Sequence, residues 1–102
     1  MNQNCDDLKR LYEEIPVYGY GTLSELNGVY LKARDIILHV VADEKHKTMQ
    51  QPVGVSSVEI DNLIRWARSA KTKKDEQSYF NKAAEQLQED IRTTIRLLGC
   101  ND

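Results

Sequence analysis

Between residues 22 and 41, apolar side chains recur at Leu26, Tyr30, Ala33, Ile37 and Val40. The steps alternate between four and three residues, the spacing of one helix face packed against other helices. The period returns at Ile60, Leu63, Ile64, Ala67 and Ala70, and again at Phe80, Ala84, Leu87, Ile91, Ile95 and Leu98. A shorter stripe, Leu8, Leu11, Tyr12 and Ile15, precedes them. Four amphipathic helices, none of which is a core by itself, predict an all-α chain folded as an antiparallel four-helix bundle. The heptad-like spacing of the second and fourth helices suits shallow crossing angles. It would equally serve a homo-oligomer in which those helices pack between chains.

Local signals set the expected boundaries. The first helix is expected over residues 5–15, with Asn4 as N-cap and Asp6 and Asp7 at the positive end of its dipole. Pro16 stops it, because the residue before proline is pushed out of helical geometry. Residues 16–21 read Pro-Val-Tyr-Gly-Tyr-Gly, a turn. Thr22-Leu23-Ser24-Glu25 matches a capping box that opens a second helix running to about residue 43. Gly28 lies inside that helix at a cost of up to ~1 kcal/mol relative to alanine, which close approach by a neighbouring helix or by the Tyr-Gly turn would explain. Residues 44–55, polar and then broken by Pro52 and Gly54, read as the longest connection. A second capping box, Ser56 to Glu59, predicts the start of the third helix near Ser56. Asp75 is expected to cap the fourth, which runs to Leu98, with Gly99 as its left-handed C-terminal residue.

At 102 residues the chain is expected to be a single helical-bundle domain, 1–102. Its 40% apolar and 29% charged composition suits a globular protein. A net charge of -2 predicts no general affinity for nucleic acid. No apolar run approaches the ~20 residues of a membrane span. The start, Met1 to Asp7, lacks the basic and apolar regions of a signal peptide, so the expected location is cytoplasmic. Two cysteines, Cys5 and Cys100, stand near opposite ends of the sequence. A cytosolic setting favours two reduced thiols. An up-down-up-down bundle nevertheless brings both to one end, where a disulfide would be worth ~4 kcal/mol.

Three groups of residues could carry function. Arg65, Arg68, Lys71, Lys73 and Lys74 surround Trp66 in the sequence, a pattern that can grip an anionic partner. The same cations would also complement the C-terminal dipole of the third helix. Tyr18 and Tyr20, on the glycine-containing turn, are less obviously core than Tyr12 or Phe80, and exposed aromatics are favoured as binding hot spots. Asp35, His39, Asp43 and His46 would share one face if the second helix continued that far, a spacing able to ligate a metal, although a solvated polar face explains it as well. No nucleophile motif or glycine-rich phosphate loop is present, so neither enzyme activity nor a cofactor is expected, and no metal ligand is assigned.

Leu11-Tyr12-Glu13-Glu14-Ile15, Val29-Tyr30-Leu31-Lys32, Ile60-Asp61-Asn62-Leu63-Ile64 and the closing Leu98-Gly99 resemble the small helical immunity proteins that protect bacteria from pediocin-like bacteriocins. That resemblance implies a non-enzymatic cytosolic four-helix bundle that protects a membrane sugar-transporter receptor once bacteriocin is bound. That family is typically basic, whereas this chain is slightly acidic. A second likeness, Tyr30 with Arg34 and then Trp66-Ala67, is to short helical phage proteins that sequester cyclic oligonucleotide signals. It implies an oligomer that stacks aromatics on a nucleotide. The expected role is therefore an immunity or inhibitor protein acting on a protein partner. Its expected surface is the third helix, its basic end and the 44–55 connection. Sequestration of a nucleotide ligand is the alternative.

Overall fold

The computed structural model describes residues 3–100. Met1, Asn2, Asn101 and Asp102, the ends of the expected 1–102 domain, lie outside them. Four α-helices follow in order: α1 (Gln3–Glu14), α2 (Leu23–Val41), α3 (Gln50–Arg68) and α4 (Lys73–Leu97). They form an all-α four-helix bundle. α3 and α4, joined by a tight turn, make the most extensive pairing, and α1 and α2 pack against α4. Among the described residues no helix is long and apolar enough to cross a membrane.

The expected stripes meet in one core. Leu8, Leu11 and Ile15 face Leu26, Val29, Tyr30, Ala33 and Ile37 of α2, Ile60, Leu63 and Ile64 of α3, and Phe80, Ala83, Ala84, Leu87 and Ile91 of α4. Tyr30 is buried to 2% exposure, and its hydroxyl donates to the Ser57 carbonyl at 2.9 Å, which removes the cost of burying an unpaired polar group.

The capping box at α2 forms as expected. The Glu25 amide donates to the Thr22 Oγ1 and the Thr22 amide donates to the Glu25 carboxylate, each at 3.1 Å. Before it, the 16–21 turn folds back on itself, with the Tyr20 and Gly21 amides both donating to the Val17 carbonyl at 3.0 Å. A Cβ at Gly21 would collide with the Pro16 ring, so the turn admits only glycine there. At the far end of the chain, Gly99 takes φ +67°. Its amide donates to the Arg96 carbonyl and that of Cys100 to the Ile95 carbonyl, a Schellman motif that turns the chain back toward α1.

Several boundaries differ from expectation. α1 begins at Gln3, so Asn4 lies inside the helix instead of capping it. α2 ends at Val41, with Ala42 as C-cap. Residues 44–55 are not a long connection: a 3-10 helix occupies Glu44–Met49, and α3 starts at Gln50. Pro52 is the third residue of α3, where its missing N–H would have had no helical partner in any case. Gly54 has open space around it and is carried along. Ser56 is therefore inside α3, buried, and is not a cap. Thr72, not Asp75, caps α4, its Oγ1 accepting from the Asp75 amide at 3.1 Å.

Gly28 has no neighbour within 4 Å of where a Cβ would stand, so no close approach explains it. Gly28→Ala is expected to stabilise the fold by about 0.5–1 kcal/mol, through helix propensity and a less flexible unfolded chain. Urea denaturation checks this, and a destabilised variant would contradict it.

Cys5 and Cys100 are joined in a disulfide, with Cα atoms 5.9 Å apart, where reduced thiols were expected. The bundle brings α1's start beside α4's end, and the Schellman turn aims Cys100 at Cys5. The bond closes a loop spanning 95 positions of sequence.

Candidate functional site

The α3–α4 turn gathers the basic residues at one end of the bundle. Arg65, Trp66 and Arg68 occupy the last turns of α3, Lys71 the connection, and Lys73 and Lys74 the first turn of α4. All five cations are exposed, and among the described residues none is ion-paired. Arg65 donates to the Asn62 side-chain oxygen, a neutral partner that leaves its charge uncompensated. The dipole of α3 accounts for Arg65 and Arg68, which lie at its negative end. It does not account for Lys73 and Lys74, which sit at the positive end of α4 ahead of Asp75 and Glu76.

Trp66 is 48% exposed, its ring tilted at 5.8 Å from Tyr79 of α4. That contact braces one side of the indole and leaves the rest to solvent beside Arg65. A rigid, half-exposed aromatic among cations suits a partner that brings both apolar surface and negative charge.

The two turn tyrosines part company. Tyr18 is not a free aromatic: its ring meets Phe80 edge-on at 5.4 Å, and its hydroxyl donates to the Glu76 carboxylate at 2.7 Å. That hydrogen bond raises the Tyr18 pKa above the usual phenol value, and burial and the Glu76 charge act in the same direction. Tyr18 and Lys73 line one cleft of about 460 Å³ between the turn and the start of α4. Tyr20 is 94% exposed and lines a different, shallow cleft beside Glu14 and Glu25. Tyr20 is thus flanked by carboxylates, and the structure does not bring it into the cation cluster.

Tyr30 and Arg34, which carried the nucleotide-binding likeness, are engaged with the protein itself. The Arg34 guanidinium lies 5.4 Å from the Tyr30 ring centroid and 3.7 Å from the Asp61 carboxylate. No face of Tyr30 stands open for a base. The Asp35–His46 stripe is interrupted, because α2 ends before Asp43 and His46 takes non-helical angles. Among the described residues no group of three or more His, Cys, Asp or Glu is arranged to hold a metal ion.

The 44–55 segment, expected to extend the binding surface, starts α3 at the end opposite the cations. With ~1.5 Å of rise per residue, the ten residues of α3 from Val55 to Arg65 separate the two by at least ~15 Å. The candidate surface is therefore the α3–α4 end alone.

Sequence reasoning missed a polar cluster between α3 and α4. Ser56 Oγ donates to Asp90 Oδ2 at 2.5 Å, and Gln86 Nε2 donates to Ser56 Oγ at 2.8 Å and to Asp90 Oδ1 at 3.2 Å. Burial pushes the Asp90 carboxyl above the ordinary aspartate value, with the Ser56 and Gln86 hydrogen bonds opposing the shift. The available signal was Ser56 itself, at helical spacing from Ile60, Leu63 and Ala67. Compared with known protein families, curated proteins and solved structures, this chain finds no match in any of the three.

Proposed function

We propose that the protein is a cytoplasmic, non-enzymatic binding protein of bacterial or phage origin, an immunity or inhibitor protein that docks its α3–α4 end on an acidic protein partner. The observation that carries this reading is the set of five exposed, unpaired cations that share the α3–α4 end with half-exposed Trp66, two of them where the helix dipole gives them no reason to be. Long-range attraction by such a cluster speeds encounter, and a braced indole adds contact area at little entropic cost. The resemblance to pediocin-like bacteriocin immunity proteins names the activity to test.

Expression in a strain sensitive to a pediocin-like bacteriocin is expected to raise survival. The triple variant Arg65→Ala, Arg68→Ala, Lys73→Ala is expected to abolish protection while keeping the helical circular dichroism of the parent. No protection by the parent would refute the immunity activity, and full protection by the variant would refute this surface. Native mass spectrometry with cyclic and linear nucleotides decides against the alternative: an oligomer carrying stoichiometric nucleotide would replace a protein partner with a nucleotide. The Cys5–Cys100 disulfide is the observation that opposes a cytoplasmic location, and thiol trapping in intact cells decides it: a largely reduced pair supports the cytoplasm and an oxidised pair overturns it.

A further inference from the structure

We propose that the cleft at Asp90 is a binding site for a primary ammonium group carried on an unbranched apolar stem. The site lies in the half of the bundle away from the α3–α4 cations. It is a cleft of about 210 Å³ between the start of α3 and the later turns of α4. At ~30 Å³ per water it has room for about seven waters, enough for a short alkyl chain with a charged head. Pro52, Val53 and Leu97 supply apolar walls, and Asp90 and Thr93 supply oxygens.

The charge of Asp90 has no structural partner. Its two hydrogen bonds come from neutral donors, Ser56 and Gln86, and an asparagine could accept the Ser56 hydroxyl equally well. Two of a carboxylate's roughly four acceptor positions stay free. Among the described residues no cation pairs with it. Glu89 and Glu59 add negative potential at it. Arg34, which lines a small void on the other side of Asp90, is held by Asp61 and lies over Tyr30. Ser56, itself buried, fixes the carboxylate orientation, so the site is set before any ligand arrives. A carboxylate partly removed from water, among apolar walls and without a counter-charge, is complementary to an organic cation and repels anions. A free alkylamine and a lysine side chain of another protein present the same chemistry.

The test is a titration of the isotope-labelled full chain with n-butylammonium chloride, followed by NMR and matched with sodium chloride and n-butanol. Saturable shifts at Val53, Thr93 and the Asp90 carboxyl carbon are expected, with a dissociation constant on the order of 1–10 mM. Butanol should give none of them. Bound ammonium should also lower the Asp90 pKa from its raised position. Asp90→Asn keeps the shape and should weaken binding by at least roughly tenfold. Absence of a saturable shift up to about 100 mM, or equal binding by Asp90→Asn, would overturn the proposal. Within a positive result, tighter binding of N-acetyl-lysine methylamide assigns the site to a protein lysine, and tighter binding of 1,4-diaminobutane assigns it to a free polyamine.

Discussion

Opening the Cys5–Cys100 bond is expected to cost about 4 kcal/mol, because it frees an unfolded chain otherwise closed into a loop of nearly its full length. For a chain of this size each kcal/mol shifts Tm by about 4–8 °C, so a fall of roughly 15–30 °C follows. Domains of this kind hold only ~5–15 kcal/mol in total, which makes the bond a large share of stability. Two forms separate the cross-link from side-chain effects. Reduction of the parent chain removes the bond and leaves both thiols. The double variant Cys5→Ser, Cys100→Ser also places a hydroxyl at the buried Cys5 position. Both should fold at room temperature, and both should show a larger urea m-value, since an open denatured chain exposes more surface. A Tm unchanged on reduction, to within about 2 °C, would refute this prediction, because folded ends that stay together without the bond still leave the unfolded chain less restricted.

The same bond marks a limit on what could be read from the chain. Helical periodicity predicted four packed helices and therefore brought the two termini together. Whether the thiols meet depends on the Schellman turn at Gly99 and on the exit angle of α4, which are geometry rather than composition. The compartment argument concerned the cell, and it pointed the other way. Two local signals were legible, since the Thr22–Glu25 box forms as written and Gly99 takes the left-handed conformation expected of it, whereas the Ser56–Glu59 box, equally complete in sequence, does not form. Signals that depend on distant partners were not. Pro52 and Gly54 carry the marks of a break, yet α3 runs through them because proline in a first turn loses no helical bond. Ser56 resembles a cap in sequence and is instead drawn inward by Asp90 and Gln86, which stand 34 and 30 positions away.

The candidate surface divides along the same line. The cations at 65–74 are exposed because charged side chains on a helix end stay in water wherever the helix goes. Tyr18 looked equally free on its turn, but its partner Glu76 is 58 positions distant, and nothing near Tyr18 announces it. Asp90 lies at the edge of the buried stripe of α4 and attracts no attention until α3 is laid against it.

Phe80→Ala is expected to be the most damaging single truncation that also reaches this end of the molecule. Phe80 is 2% exposed and is among the largest fully buried side chains, so its removal should cost about 3–5 kcal/mol in lost transfer free energy and cavity formation. It also carries the edge of the Tyr18 ring at 5.4 Å and lines the cleft that the 16–21 turn closes. With Phe80 gone, the Tyr18–Glu76 hydrogen bond is left without the ring contact that shields it from water. The turn should then open locally as well as globally. Leu87→Ala provides the comparison: Leu87 is 1% exposed, should cost about 2–5 kcal/mol, and lies two helical turns farther along α4. Hydrogen exchange at the Tyr20 and Gly21 amides, both bonded to the Val17 carbonyl, distinguishes the variants. Phe80→Ala should accelerate those amides more than its global loss of stability accounts for, and Leu87→Ala should not. Equal acceleration in both variants would mean that the turn is held by its own hydrogen bonds, with Tyr18 resting on the core without anchoring it.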